Sequence, residues 1–261
     1  MYGKRKLFYP HVATNDHLDA LQRHFGRLDS GPAEIPENVK FILIGFTNRS
    51  GSNYLAELLA SDGHIPLAGE NLNFDTVLEH STQKGFATFR DYFRFLVHDT
   101  RLGNIVSIKV APAHIELLAV SGILDQIIGR TEFVVIERND KLSQAISHSI
   151  AFQTGKFMST MPDNNDLPAP VFNRDELTAI MEDIAESYKQ FNLFFSRNGI
   201  VPVHVSYEHV VSRPVPIINH IGREVGIPDL SVNTGNVRLA KQADSRNDEW
   251  REMYLAAGEA R

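Results

Sequence analysis

Apolar and polar positions follow one another along this chain in two rhythms. Short, nearly unbroken apolar runs at 40–45 (centred on Phe41-Ile42-Leu43-Ile44), 105–110, 132–136 and 201–205 read as strands buried on both faces. Between and around them the apolar residues recur at helical spacing. Leu18, Leu21 and Phe25 share a face over 14–26, with Gly26 as the stop. Ile115, Leu118, Leu124 and Ile127–Ile128 predict a helix over 114–128, although Gly122 interrupts it, and another helix follows at 140–154. The clearest pattern spans 174–197. There Asn173 can cap, Glu176 stands three residues on, and Leu177, Ile180, Met181, Ile184, Tyr188, Phe191 and Phe195 form the stripe that Gly199 ends.

Apolar strands separated by helices predict an α/β fold, a central parallel sheet flanked by helices on both faces. Ligands of such sheets bind at the carboxyl ends of the strands, so the loops after Ile44, Val110, Ile136 and Val205 should meet on one edge. The segment 158–173, with Pro162, Pro168 and Pro170 among Asp and Asn, shows no element of its own, and its length suits a binding loop or lid.

The stretch Thr47-Asn48-Arg49-Ser50-Gly51-Ser52-Asn53-Tyr54-Leu55 joins the first strand to a helix carrying Tyr54, Leu55, Leu58 and Leu59 on one face. Amide groups of such a loop and the helix N-terminus form an anion site, to which Arg49 adds a full charge. The alternative is an ordinary strand-to-helix turn. The G-x-x-x-x-G-K-[ST] spacing of a nucleotide-triphosphate loop is absent. A second candidate, Glu137-Arg138-Asn139-Asp140-Lys141 through Ser147, follows the third strand: Arg138 can fork onto a phosphate and Ser147 can add a hydroxyl. Its competing reading makes Asp140 a helix cap and pairs Arg138 with Glu137 or Asp140 at the surface. Two anion sites at neighbouring strand ends suggest a ligand phosphorylated at both ends.

Composition narrows the classes. At 261 residues and 43% hydrophobic content one large domain is expected, and a net charge of -6 argues against a nucleic-acid or anionic-membrane binder. No cysteine is present, which excludes disulfides, thiolate catalysis and zinc–cysteine sites. No apolar run approaches the ~20 residues of a membrane span. Met1-Tyr2-Gly3-Lys4-Arg5-Lys6 is basic but lacks an apolar region after it, so a soluble, cytoplasmic protein is expected. No cluster at metal spacing stands out, and no metal is expected.

Four segments, in order, resemble the bacterial carbohydrate sulfotransferases that use 3′-phosphoadenosine 5′-phosphosulfate (PAPS), the group containing trehalose 2-sulfotransferase and, more distantly, the nodulation-factor and lipopolysaccharide enzymes. They are Arg49-Ser50-Gly51-Ser52; Gly69-Glu70-Asn71-Leu72-Asn73; Arg138-Asn139-Asp140-Lys141 through Gln144-Ala145 to Gln153-Thr154-Gly155; and Lys241-Gln242-Ala243-Asp244 with Trp250. The resemblance covers roughly residues 40–252. It implies a P-loop-like sulfotransferase domain over 39–261 behind an N-terminal helix and extension over 1–38.

It also implies roles. Arg49 with the amides of Ser50, Gly51, Ser52 and Asn53 would hold the 5′-phosphosulfate. Arg138 and Ser147 would take the 3′-phosphate, with Asn139 standing where many relatives carry a second Arg. Lys241 and Gln242 would close over the nucleotide, unless they simply belong to an exposed terminal helix. Transfer of a sulfuryl group to a hydroxyl is an in-line displacement that needs cations near the leaving oxygen and a base near the acceptor. Arg49 fits the first requirement, and Lys109 is a second candidate unless it is a peripheral strand-end charge. The resemblance gives the base as Glu70; a shift of three residues would put Asn73 there instead. His64, His114 and His148 are reserve bases. The implied acceptor is a sugar hydroxyl on a saccharide, glycolipid or glycoconjugate, with Phe152, Phe157 and the 158–173 loop lining its pocket, and the family admits homodimers. A small-molecule kinase and a catalytically degenerate sulfotransferase-fold binding protein are the alternatives.

Overall fold

In a computed structural model of the chain, residues 7–32, 34–162, 167–238 and 245–256 are described. Their elements are α1 (Asp16–Phe25), β1 (Lys40–Gly45), α2 (Ser52–Ala60), α3 (Phe74–Lys84), α4 (Phe89–Thr100), β2 (Ile105–Val110), α5 (Pro112–Val120), α6 (Leu124–Ile127), β3 (Thr131–Glu137), α7 (Lys141–Thr154), α8 (Arg174–Asn198), β4 (Val203–Ser206), α9 (Tyr207–Ser212), α10 (Pro214–Glu224) and α11 (Ser245–Ala256). The strands form a parallel sheet in the order β2-β1-β3-β4. From β1 the chain crosses to β2 on one side and later to β3 on the other. The order therefore reverses between β1 and β3, where loops diverge and leave a crevice.

The period of two along β1 assigns its side chains to two cores. Phe41 and Leu43 join Val106, Ile108, Phe133 and Val135 beneath Phe191, Phe194 and Phe195 of α8 and Phe89 and Phe93 of α4. Ile42 and Ile44 join Val134, Ile136 and Val205 beneath Leu55, Leu58 and Leu59 of α2 and Ile218 and Ile221 of α10. Leu21 of α1, Leu28 and Ile35 enter the first core, so residues ahead of the sheet pack into the same interior. Trp250 of α11 packs with Ala145, Ile146 and Leu177, which binds the chain's last described helix to α7 and α8.

α8 begins as its sequence predicts: Asn173 Oδ1 accepts from the N–H groups of Asp175 and Glu176 at 3.0 and 3.1 Å, and Gly199 at φ 67° ends it. Two expectations are corrected. The single helix over 114–128 is divided into α5 and α6, because Gly122 takes φ 72° and Arg90 Nε donates to the Ser121 carbonyl at 2.9 Å in the break. The fourth strand begins at Val203; Val201 lies outside the ladder and is 93% exposed. Helices α3 and α4 fill a stretch for which the sequence pattern predicts no element. Among the described residues, no helix is long and apolar enough to cross a membrane.

Candidate active site

The four strand ends open onto a cavity of about 1010 Å³, and the β1–α2 loop forms one wall of it. This loop takes an unfavourable backbone path, with Arg49 at φ 61° and Gly51 at φ 91°. A buried network holds it. Gln144 Nε2 of α7 donates to Thr47 Oγ1 (2.8 Å) and to the Asn48 carbonyl (2.7 Å). Thr47 donates to the Tyr188 hydroxyl at 3.2 Å, which donates to the Ile136 carbonyl at 2.8 Å. Burial raises the Tyr188 phenol pKa, so the group remains a donor. Gly51 lies against the ring of Tyr207, the first residue of α9.

Two guanidinium groups reach this wall. Arg49 Nε donates to Ser147 Oγ at 3.0 Å, and its Nη1 donates to the Phe157 carbonyl. Arg138 lies over the Tyr207 ring, 5.1 Å from its centre. Burial, and then the charge of Arg138, push the Arg49 pKa down, as expected where two like charges face one space. Neither surface pairing considered for Arg138 occurs. Glu137 takes Lys141 at 2.6 Å, and Asp140 takes Arg251 at 2.9 Å while capping α7 through the Ser143 N–H. Ser147 lines the cavity together with both arginines, and its hydroxyl accepts from Arg49. Ser50 turns inward: its side chain is fully buried and its N–H donates to the Thr47 carbonyl at 3.1 Å. The amides of Gly51, Ser52 and Asn53 remain as the first-turn donors that a helix leaves without intrahelical acceptors.

Lys109 is not a peripheral charge. The Gly69 carbonyl accepts from the Lys109 N–H at 2.9 Å, a bridge that sets the segment 69–73 beside β2. Lys109 Nζ is buried under the cavity floor, donating to Asn53 Oδ1 and, at 2.8 Å, to Glu70 Oε1. Burial lowers its pKa, and Glu70 opposes that shift. Asn73 Nδ2 donates to Glu70 Oε2 at 3.0 Å, so the two residues considered for the base share one place on the wall. Only the carboxylate has useful basicity there.

The reserve bases separate. His64 is an exposed imidazole 3.0 Å from Asp62, away from the cavity. His148 lines the cavity with its pKa lowered by burial and by Arg49. His114 also lines it, and burial, assisted by His17, lowers its pKa to about 3. An imidazole that titrates near 6.5 once unfolded but stays neutral when folded makes the unfolded state the better proton binder between those values. Stability should therefore rise with pH across that window and fall as pH drops below 6.5. Between pH 7.5 and pH 5 this group should remove about 2 kcal/mol. Urea unfolding at both pH values should show that increment disappear in His114→Asn; an unchanged pH dependence would contradict a buried neutral imidazole.

Phe152, Phe157 and Met158 line the mouth, whereas Phe172 packs on Trp250 with ring centres 5.8 Å apart. Lys241 and Gln242 lie outside the described residues. Among the described residues no group of three or more His, Asp or Glu is arranged for a metal. The sequence assigns no site role to Tyr207, Thr47, Gln144 or Tyr188, although Thr47 and Gln144 lie in the loop and motif quoted above and Tyr188 in the stripe of α8. Tyr207 had a signal, since it immediately follows the fourth strand. The other three act through tertiary hydrogen bonds that no local pattern encodes.

The model of the Stf0 sulphotransferase family matches residues 113–257. A trehalose 2-sulfotransferase of Mycobacterium tuberculosis (Erdman strain) is 24% identical over 140 residues, covering 52% of this chain and 50% of its own. The chain thus spans about half the length of that relative. Among solved structures, a sulfotransferase from Alicyclobacillus acidocaldarius aligns with a TM-score of 0.49 at 13% identity, over 84% of this chain and 92% of the other. A mouse sulfotransferase complexed with PAP aligns at a TM-score of 0.45 and 15% identity, over 93% and 72%.

Proposed function

The chain belongs to the Stf0 sulphotransferase family, and we propose that it transfers a sulfuryl group from PAPS to a hydroxyl of a saccharide or glycoconjugate. One observation carries the reading: Arg49, Arg138 and the N-terminus of α2 share a wall of the cavity whose floor holds the Lys109–Glu70 pair. The sugar acceptor is supported by the relative that bears the name trehalose 2-sulfotransferase.

In this reading the amides of Gly51, Ser52 and Asn53, with Arg49, bind the 5′-phosphosulfate, and Arg138 binds the 3′-phosphate. Glu70 accepts the proton of the acceptor hydroxyl as its oxygen bonds to sulfur. The bond from sulfur to the phosphate oxygen breaks, and 3′,5′-diphosphoadenosine (PAP) leaves. The positive charges of Arg49 and the α2 terminus oppose the negative charge that grows on the departing oxygen. Lys109 acts as a positioning residue, holding Glu70 and Asn53 from below. No step here requires a metal.

Calorimetric titration with PAP beside ATP–magnesium tests the nucleotide. Selective binding of PAP is expected, and preference for ATP–magnesium would replace this reading with a kinase. Arg138→Ala should weaken PAP binding by roughly 1.5–3 kcal/mol, about 12- to 140-fold in Kd, the range of a hydrogen bond to a charged group. Unchanged affinity in that variant would remove Arg138 from the nucleotide site.

A further inference from the structure

We propose that α1 is the acceptor-selecting wall of the site, and that Asp16, His17, Asp75 and His114 take a neutral polyhydroxylated ring and refuse an acidic one. The inference rests on the sulfotransferase reading, and it concerns a segment that precedes the residues matched by the family model.

The segment before the sheet is built onto the site. Glu116 of α5, a carboxylate only 3% exposed, is the anchor. Its oxygens accept from Asn15 Nδ2 (2.8 Å) and the Val12 N–H (3.2 Å), and His11 Nδ1 lies 2.9 Å away. Asn15 also caps α1 through the Leu18 N–H at 3.0 Å and donates to the Ala113 carbonyl at 3.1 Å. These bonds place Asp16 and His17 on the cavity wall together with Glu70, Asn73 and Asp75.

The donors and acceptors there match hydroxyl groups. His17 Nδ1 accepts from the Phe74 N–H at 3.1 Å, and His114 Nδ1 accepts from the Ala111 N–H at 3.1 Å. Each imidazole therefore carries its proton on Nε2. A ring that accepts at Nδ1 is neutral, and burial favours that form in both, opposed at His17 by Asp16, Asp75 and Glu70, so they offer N–H donors without charge. Asp16 and Asp75 are exposed acceptors for which the described residues supply no Lys or Arg partner. Carboxylates in the first turn of a helix are common and would establish nothing alone.

The independent sign is His114. Its side chain is 1% exposed and it lines the cavity, yet its Nε2 has no hydrogen-bond partner among the described residues. A buried donor left unmatched is costly and is usually matched by something that binds. The His17 ring lies 4.5 Å from that of His114 and 5.6 Å from that of Phe74, which adds an aromatic surface for the C–H face of a ring. The charge pattern completes the argument. Glu70 is paired with Lys109, but Asp16 and Asp75 are not neutralised, so this end repels anions while the arginine wall attracts them.

The test uses the full chain, trehalose as the neutral probe and trehalose 6-phosphate as its acidic twin. Calorimetry with PAP comes first: failure of the unaltered protein to bind it refutes the sulfotransferase reading and this inference with it. With PAP bound normally, steady-state rates with PAPS should favour trehalose by at least about tenfold in kcat/KM. Asp16→Asn combined with Asp75→Asn should reduce that preference to within about threefold, with PAP affinity unchanged. His17→Asn preserves an acceptor for the Phe74 N–H but removes the ring and the N–H at its Nε2 position, which the shorter amide does not reach. It should raise the KM for trehalose about tenfold while kcat stays within twofold. The inference is overturned if these variants bind PAP and keep the wild-type KM and preference. It is equally overturned if the unaltered enzyme prefers the phosphorylated sugar or uses neither.

Discussion

Glu70→Gln is expected to lower turnover by about 10²- to 10⁴-fold, the usual contribution of a positioned general base. Affinity for PAP should stay within about twofold, because no part of the arginine wall is touched. Gln is nearly isosteric and its Oε1 can still accept from Lys109 Nζ, which lies 2.8 Å from the Glu70 carboxylate. The amide would face the Asn73 Nδ2 that now donates at 3.0 Å, a conflict Asn73 can relieve by turning its own amide. What is lost is the basicity, and with it the charge that opposes the lowering of the Lys109 pKa by burial. Lys109→Met separates these contributions, since it removes the positioning ammonium but leaves the base. It should reduce kcat less than Glu70→Gln does. Rates under saturating PAPS, read beside calorimetry, give the comparison. Near-normal turnover in Glu70→Gln would move the base elsewhere, with His148 the remaining reserve imidazole in the cavity outside the acceptor-selecting wall.

Gly51→Ala should both destabilise the fold and weaken nucleotide binding more than tenfold. At φ 91° a Cβ is unfavourable for an L-residue by roughly 1–2 kcal/mol. Here that atom would also collide with Tyr207 Cδ2. The ring must move, and because Arg138 rests on it at 5.1 Å the displacement reaches the second guanidinium. Gly85 supplies the control: it is also left-handed, at φ 72° and ψ 34°, with open space where its Cβ would stand. Gly85→Ala should therefore carry the backbone penalty alone. Gly51→Ala should exceed it by about 1–3 kcal/mol in urea unfolding, the range for overpacking. Pairing Gly51→Ala with Tyr207→Ala should recover part of that excess, as expected of residues in contact. Equal penalties at the two glycines would mean that Tyr207 yields without resistance and that Arg138 does not depend on it.

Much of the architecture was legible before any coordinates. The runs at 40–45 and 105–110 are strands as read, and 132–136 is extended by one residue at each end. Their apolar side chains had to be buried on both sides, and a parallel sheet covered by helices satisfies that. Helix α8 was legible because its cap, stripe and stop agree. The loop at Thr47–Asn53 and the strand end at Arg138 stood out by their cations at strand ends, although an ordinary turn and a surface ion pair are compatible with the same residues. What was less legible was how local preferences compete with packing. Gly122 could be tolerated within a helix or divide one, and the site Arg90 offers to the Ser121 carbonyl favours division. Likewise Val201 has strand-like character, yet the ladder begins two residues later.

The sequence by itself determined the α/β class, the edge of the sheet where ligands should bind and the chemical character of the arginine-bearing loops. These depend on periodicity and on short-range chemistry, which a linear chain displays directly. Only the tertiary structure decided that Lys109 lies buried beneath Glu70 rather than at the periphery, that Ser147 stands with Arg49, that Ser50 turns away, and that α1 closes the cavity beside Asn73. All but the local turn of Ser50 are contacts between segments far apart in the chain, selected by which groups find partners once water is excluded.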